Sequence, residues 1–210
     1  TEEYFLPIFK RKKFTVGKNI FLGYSPERED PGNENYSILK NNLPKVVSGF
    51  SEDCSKIVKQ VYKNVSNKIF VCKNIRTAEF TKLLENIYRS VNIGLINELH
   101  LVCKKMNINI FEALDAAKTK PFGFNAFYPG PGVGGHCIPV DPYYLTYKAK
   151  QLGVNTNFIK LAGKINDNRP IEISNQIIKF IKRKQIKKNI LIVGLTYKKD
   201  SDDIRESPVI

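Results

Sequence analysis

The stretch Phe124–Leu145, FNAFYPGPGVGGHCIPVDPYYL, gathers four glycines, four prolines, a histidine, a cysteine and an aspartate. Glycine frees the backbone and proline removes donors, so this is neither helix nor strand. A loop so constrained is shaped to bring main chain close to a ligand. Asp141 followed by Pro142 reads as an N-cap and a first helical residue. Cys137 therefore falls in the last turn before a helix start, where amide dipoles favour the thiolate. A thiolate there is a candidate covalent nucleophile.

Gly130, Gly132 and Gly135 also satisfy G-x-G-x-x-G. That spacing holds a dinucleotide only between a buried strand and a helix. Phe127-Tyr128-Pro129 leads in and Pro139 follows, so the match is read as accidental. A second polar group sits upstream: Lys82 and Asn86 are four apart on a helical pattern, with Arg89 three further on. Spacing alone leaves two readings, plain solvated polarity or anion-facing groups, and favours the first.

The elements that must position these residues alternate. IFLGY (20–24) is a short strand leading into the proline-rich loop Ser25–Asn33, and KVVSGF (45–50) is a second strand. Ser51 reads as N-cap of a helix with apolar spacing at 54, 57, 58, 61, 62 and 65, and KIFVCKN (68–74) is the next strand. Strand, helix, strand at this spacing is a βαβ unit and a parallel sheet. Thr77–Met106 carries no proline and one glycine, so it reads as one helix of about 45 Å, linking domains or forming a dimer core. IFEALDAAK, the Asp141 helix up to Gly153, and 158–187 with a break at Arg169-Pro170 complete the helices; Ile190–Val193 opens a further strand.

Composition narrows the function classes. The net charge of +14 comes from 27 Lys and 7 Arg, dispersed along the chain. Nucleic-acid binding would cluster arginines and aromatics on one element, so no nucleic-acid partner is expected. The run Lys179–Lys188 has apolar residues at helical spacing and reads as a solvated helix face. No apolar run approaches the ~20 residues of a membrane span. Cys54, Cys72, Cys103 and Cys137 form no C-x-x-C pair and only two histidines accompany them, so neither a metal site nor a disulfide scaffold is indicated. Cys72 and Cys103 sit in apolar contexts as core residues. A reducing, cytoplasmic location follows, with no signal peptide at TEEYFLPIFKRKK. The start without methionine and the abrupt RESPVI end suggest a piece of a longer protein.

Four blocks, YSPERE (24–29), AEFTKLLENIYRSVNIGLINEL (78–99), FYPGPGVGGHCIPVDPYYLTYKA (127–149) and GLTYKKDSDDIRESP (194–208), carry a resemblance. The chain resembles the UDP-glucose/GDP-mannose 6-dehydrogenase family, and within it the UDP-N-acetylhexosamine branch. His136 before the cysteine, with FYPGPG and DPYYL, favours that branch. The resemblance implies an α/β chain: the end of an NAD-binding Rossmann-like domain (1–75), a central all-α dimerisation and catalytic region (76–187), and the start of a UDP-sugar domain (188–210). It implies an NAD-dependent oxidation of a UDP-sugar C6 alcohol through a cysteine thiohemiacetal and thioester, in a homodimer joined by the long helix. Cys137 matches the nucleophile, Lys82 the oxyanion-stabilising lysine, Asn86 its positioning partner, Asp141 a proton-handling acid and Glu27 the acid of thioester hydrolysis. Phe127, Tyr128, Gly130, Gly132, Gly134, Gly135 and Lys198 match substrate contacts, and Arg205 a cation near the phosphates or NAD. The family's dinucleotide glycines and catalytic threonine are not among these residues, so this stretch alone is expected to be inactive. The alternative is a non-catalytic dimerisation or UDP-sugar-binding module.

Overall fold

The computed structural model describes residues 1–29, 38, 43–135, 137–185, 189–197, 200 and 202–210. They form two compact units, Thr1–Leu84 and Glu85–Ile210.

The first unit opens with α1 (Glu2–Arg11), which has acids in its first turn and bases in its last, as the macrodipole favours. The Thr1 ammonium meets Glu79 at 2.7 Å and Arg76 meets Glu2 at 3.3 Å. Strand β2 (Lys45–Gly49) is central: β1 (Gly23–Tyr24) pairs with it antiparallel and β3 (Ile69–Val71) parallel, with Val46 opposite Phe70. Only Gly23–Tyr24 of the predicted 20–24 strand joins the sheet, besides an isolated Val16–Ile20 bridge. All five residues of β2 are buried, as a strand covered on both faces requires. The crossover is α2 (Glu52–Tyr62), whose Ser51 hydroxyl accepts from the Cys54 amide as the sequence predicts. The helix sits so close to the strand that a Cβ at Gly49 would lie 2.2 Å from the Ser55 nitrogen. Val46, Cys72 and Ala78 with Tyr24 form the core, and Val47, Cys54 and Ile75 are fully buried. The predicted loop 25–33 is described only to Glu29.

Helix α3 (Ile75–Met106) runs unbroken for 32 residues, through Gly94, and enters the second unit. There α4 (Ile110–Lys118) is capped by the Asn109 side chain. Helix α5 (Asp141–Gln151) ends at Gly153, whose φ is +76°. The Gly153 and Val154 amides return to Lys150 and Ala149 carbonyls, a Schellman cap that only a residue tolerant of positive φ allows. Helix α6 (Asn157–Lys184) passes straight through Pro170, so the predicted break at Arg169-Pro170 is absent. Proline still removes an amide donor there, and Arg169, only 2% exposed, ties the turn into the interior. Ile96, Ile110 and Leu114 form the apolar core, with Cys103, Phe124 and Phe127 against it.

Helix α3 shows an inversion. Its line facing the interior is Asn86, Ser90, Gly94 and Asn97, all buried. Gly94 lets α6 approach until a Cβ would lie 3.3 Å from the Ala162 Cα. Part of its apolar surface points outward: Tyr88, Leu95, Leu99, Val102 and Met106 are exposed, while Ile87 and Ile96 are buried. Ile190–Val193, expected as a strand, has no ladder partner among the described residues, and Leu191 and Val193 are 85% and 87% exposed. A strand exists only by pairing, and no described strand lies alongside this run. No helix of the described residues is long and apolar enough to cross a membrane.

Candidate active site

Cys137 sits in a turn rather than inside a helix. Its carbonyl accepts from the amides of Val140 (3.2 Å) and Asp141 (2.8 Å), which swings the chain into α5. The thiol is free and partly buried. Asp141 is not the N-cap predicted for it: Val140 takes that position without a side-chain bond, and Asp141 is the first helical residue with Pro142 behind it. The reason is visible in its partner. Asn86 Nδ2 of α3 donates to Asp141 Oδ2 at 2.5 Å, so the carboxylate is engaged sideways instead of capping its own helix. It still lies in the first turn, where negative charge suits the dipole.

Asn86 is 8% exposed, so the solvated-polarity reading drawn from spacing fails at this position. Lys82 stands one turn earlier on α3, partly buried, within the first unit, and Arg89 is exposed. Glu27, also in the first unit, is preset by its surroundings. Its Oε1 accepts from the Arg28 and Glu29 amides at 2.7 and 2.8 Å, and its Oε2 lies 3.2 Å from Lys45 Nζ. Burial works to raise this carboxyl, but the Glu29 and Arg28 amides and the Lys45 ammonium outweigh it and leave the group lowered. Lys45 is itself buried and lies over the Tyr62 ring.

The glycine loop is fastened from three sides. Asn97 Oδ1 accepts from the Gly130 amide at 3.1 Å, and Arg169 Nε donates to the Gly130 carbonyl at 3.1 Å. The Gly135 amide donates to the Arg205 carbonyl at 3.1 Å. A Cβ at Gly134 would lie 2.2 Å from the Tyr197 Cβ, and one at Gly132, where φ is +153°, 2.8 Å from Pro208. Among the described residues the amides of Gly132, Val133 and Gly134 make no hydrogen bond.

These bonds also test the dinucleotide spacing. No strand leads into Gly130, and two amides a pyrophosphate would need, Gly130 and Gly135, are already committed. The described residues therefore do not fit an NAD cradle here, in keeping with the sequence reading of this motif.

Phe127 meets Tyr88 edge-on at 5.8 Å, and Tyr128 stacks on Phe111 while donating to Asp115 at 3.0 Å. Both aromatics line an open depression of about 500 Å³ with Glu85, Tyr88 and Arg89. Cys137 does not line it. The Arg205 guanidinium grips Asp203 through Nε (2.9 Å) and Nη2 (2.6 Å), which holds the Asp203 carboxyl well below its usual range. Lys198 and His136 lie outside the described residues. No cluster of three or more His, Cys, Asp or Glu able to hold a metal occurs among those described.

Three residues escape the sequence reading: Asn97, His100 and Arg169. Arg169 Nη2 lies 2.7 Å from His100 Nδ1, and its Nη1 meets Glu172 at 3.1 Å. Burial, then Arg169 and Lys104, push the His100 imidazole down. The available signal was the polar repeat 86, 90, 97 around Gly94, hidden by a stronger apolar stripe.

Residues 76–168 match the UDP-glucose/GDP-mannose dehydrogenase family, central domain. The chain is 37% identical to the UDP-N-acetyl-D-glucosamine 6-dehydrogenase of Salmonella typhi over its whole length, covering 50% of that protein. It is 39% identical to the UDP-N-acetyl-D-mannosamine dehydrogenase of Methanocaldococcus jannaschii, over 94% of this chain and 44% of that one. The structure of UDP-D-ManNAc dehydrogenase from Pyrococcus horikoshii superposes with a TM-score of 0.88 at 32% identity, over all of this chain and 49% of that chain. The chain thus spans about half the length of the relatives it matches. Residues 76–168 thus carry the central domain of the UDP-glucose/GDP-mannose dehydrogenase family, and the chain as a whole is similar to dehydrogenases of that family.

Proposed function

We propose that this chain is part of an NAD-dependent UDP-N-acetylhexosamine 6-dehydrogenase. The observation that carries the reading is the Asn86–Asp141 contact at the turn bearing a free Cys137. NAD+, when bound by the complete protein, would supply the oxidising power for both steps. The Cys137 thiolate adds to the C6 aldehyde carbon formed by the first oxidation, giving a thiohemiacetal. The second oxidation turns this into a thioester. Water then adds to the thioester carbon, the C–S bond breaks and the thiolate leaves, freeing the carboxylate. Lys82 stabilises the developing oxyanion and Asn86 positions Asp141. Asp141 shuttles protons, and Glu27, its carboxyl lowered by the Glu29 and Arg28 amides and then by Lys45, serves hydrolysis. Phe127, Tyr128 and the loop glycines contact the UDP-sugar. Gly132 to Gly134 carry the amide donors not already tied back. Lys198 takes the nucleotide-sugar and Arg205 the phosphate or NAD side.

In this reading residues 1–75 end the NAD domain, 76–187 form the central domain and 188–210 begin the UDP-sugar domain. The exposed apolar line of α3 supports a homodimer along that helix, since so large an apolar surface marks an interface. Four free cysteines suit the cytoplasm. The second reading is a dimerisation or UDP-sugar-binding module without chemistry. Cys137→Ala in the complete gene product decides between them. Loss of uronate and NADH formation with UDP-sugar binding retained supports the dehydrogenase; turnover that survives the substitution removes it.

A further inference from the structure

Arg169 is a guanidinium with its side chain 3% exposed, far from any role assigned above. It spends its donors on three different elements. Nε goes to the Gly130 carbonyl in the loop, Nη1 to Glu172 one turn along α6, and Nη2 to His100 on α3. Arginine can only donate, so His100 Nδ1 is the acceptor and the imidazole carries its proton on Nε2. Phe111 of α4 lies against the same ring at 6.4 Å. At the other backbone group of the same residue, Asn97 Oδ1 accepts from the Gly130 amide. Both backbone groups of one glycine are therefore fixed by buried side chains, and the next residue of α6, Pro170, lies 3.2 Å from where a Gly132 Cβ would stand.

A loop that meets a ligand through its amides loses affinity if those amides must first be ordered. We propose that Arg169, oriented by neutral His100, is a positioning residue that pre-orders the Gly130–Gly134 loop for the sugar-nucleotide. This rests on the functional reading above. Arg169 touches no reacting atom, so its loss should appear in binding and leave the chemical step alone. Lysine has one ammonium in place of the planar fork and cannot serve three acceptors at these angles.

The test is calorimetric titration of the complete gene product with UDP-N-acetylglucosamine and UDP-N-acetylmannosamine, alongside steady-state kinetics. Arg169→Met and Arg169→Lys should each weaken binding and raise KM about tenfold or more, the scale of a lost charged hydrogen bond, while kcat changes little. His100→Leu should weaken binding in the same sense, and His100→Asn, whose amide oxygen can replace Nδ1 as acceptor, should restore it. Should Arg169→Met fail to fold, the two His100 variants decide alone. Unchanged affinity in folded Arg169→Met or His100→Leu overturns the inference, as does a fall in kcat at constant KM. A wild-type protein that binds neither UDP-sugar removes the functional reading and this inference together.

Discussion

The two compact units differ in what their principal elements bury. In the first, most buried residues are apolar, Val46, Val47, Cys54, Cys72, Ile75 and Ala78 among them, with Lys45, Ser48 and Ser66 beside them. In the second, helix α3 turns Asn86, Ser90 and Asn97 inward, meets Asn166 and Arg169 from α6, and leaves Leu95 and Leu99 outside. Buried polar groups cost free energy unless bonded, and most here are: Asn166 donates to the Ser90 carbonyl at 3.0 Å, Asn97 accepts from Gly130, and Asn86 donates to Asp141. Among the described residues the Asn97 Nδ2 and Asn166 Oδ1 atoms find no partner. An interior of this kind is poor at holding a fold and good at aiming groups. Substitution should therefore strike stability in the first unit and activity in the second.

The sharpest way to break that contrast is Asn86→Leu. It removes the donor from Asp141 while adding apolar volume, and kcat should fall about a hundredfold, the effect of losing one positioned polar group. Circular dichroism should show the fold retained. An unaltered kcat would mean the polar spine is only packing. Gly49→Ala is the mirror experiment. A Cβ there meets backbone of α2 at 2.2 Å, so urea denaturation should report a loss of about 1–3 kcal/mol with UDP-sugar affinity unchanged; equal stability would show that α2 can shift cheaply.

The smallest effect is on pH. The His100 pKa is lowered in the folded state, first by burial and then by Arg169 and Lys104, so the unfolded chain binds more protons. The sign follows: this contribution is present above the ordinary imidazole value of about 6.5 and is lost as pH falls through the lower folded value. Denaturation midpoints should drop between about pH 7 and pH 5, and less so in His100→Asn. A midpoint that rises on acidification would contradict the neutral His100 assigned here.

Much of the first unit was legible because its signals are local. The short runs KVVSGF and KIFVCKN, the helical apolar spacing between them and the Ser51 cap located β2, α2 and β3, since such signals act over a few residues. The long helix was equally plain, but its orientation was not. The expectation of a domain link or a dimer core left open which line faces inward, because hydrophobic period says which residues share a face and nothing about what covers it. Cys137 and Asp141 stood out by motif. Their partners did not: Asn86 looked like solvated polarity, and Arg169 looked like a helix break, because a buried bond across 39 residues, from Arg169 to Gly130, leaves no periodic trace. The strand expected at Ile190–Val193 failed for a related reason. Local propensity was right for a strand, but pairing depends on neighbours.

The most direct test is to catch the cysteine carrying substrate. With Glu27→Gln introduced to slow hydrolysis, the complete gene product is incubated with UDP-N-acetylglucosamine and NAD+, quenched in acid, digested and mapped by mass spectrometry. The account predicts a sugar-nucleotide adduct on the peptide containing Cys137, and none on those containing Cys54, Cys72 or Cys103. Uronate accumulating while Cys137 stays unmodified, and undiminished uronate formation in Cys137→Ala, would contradict it.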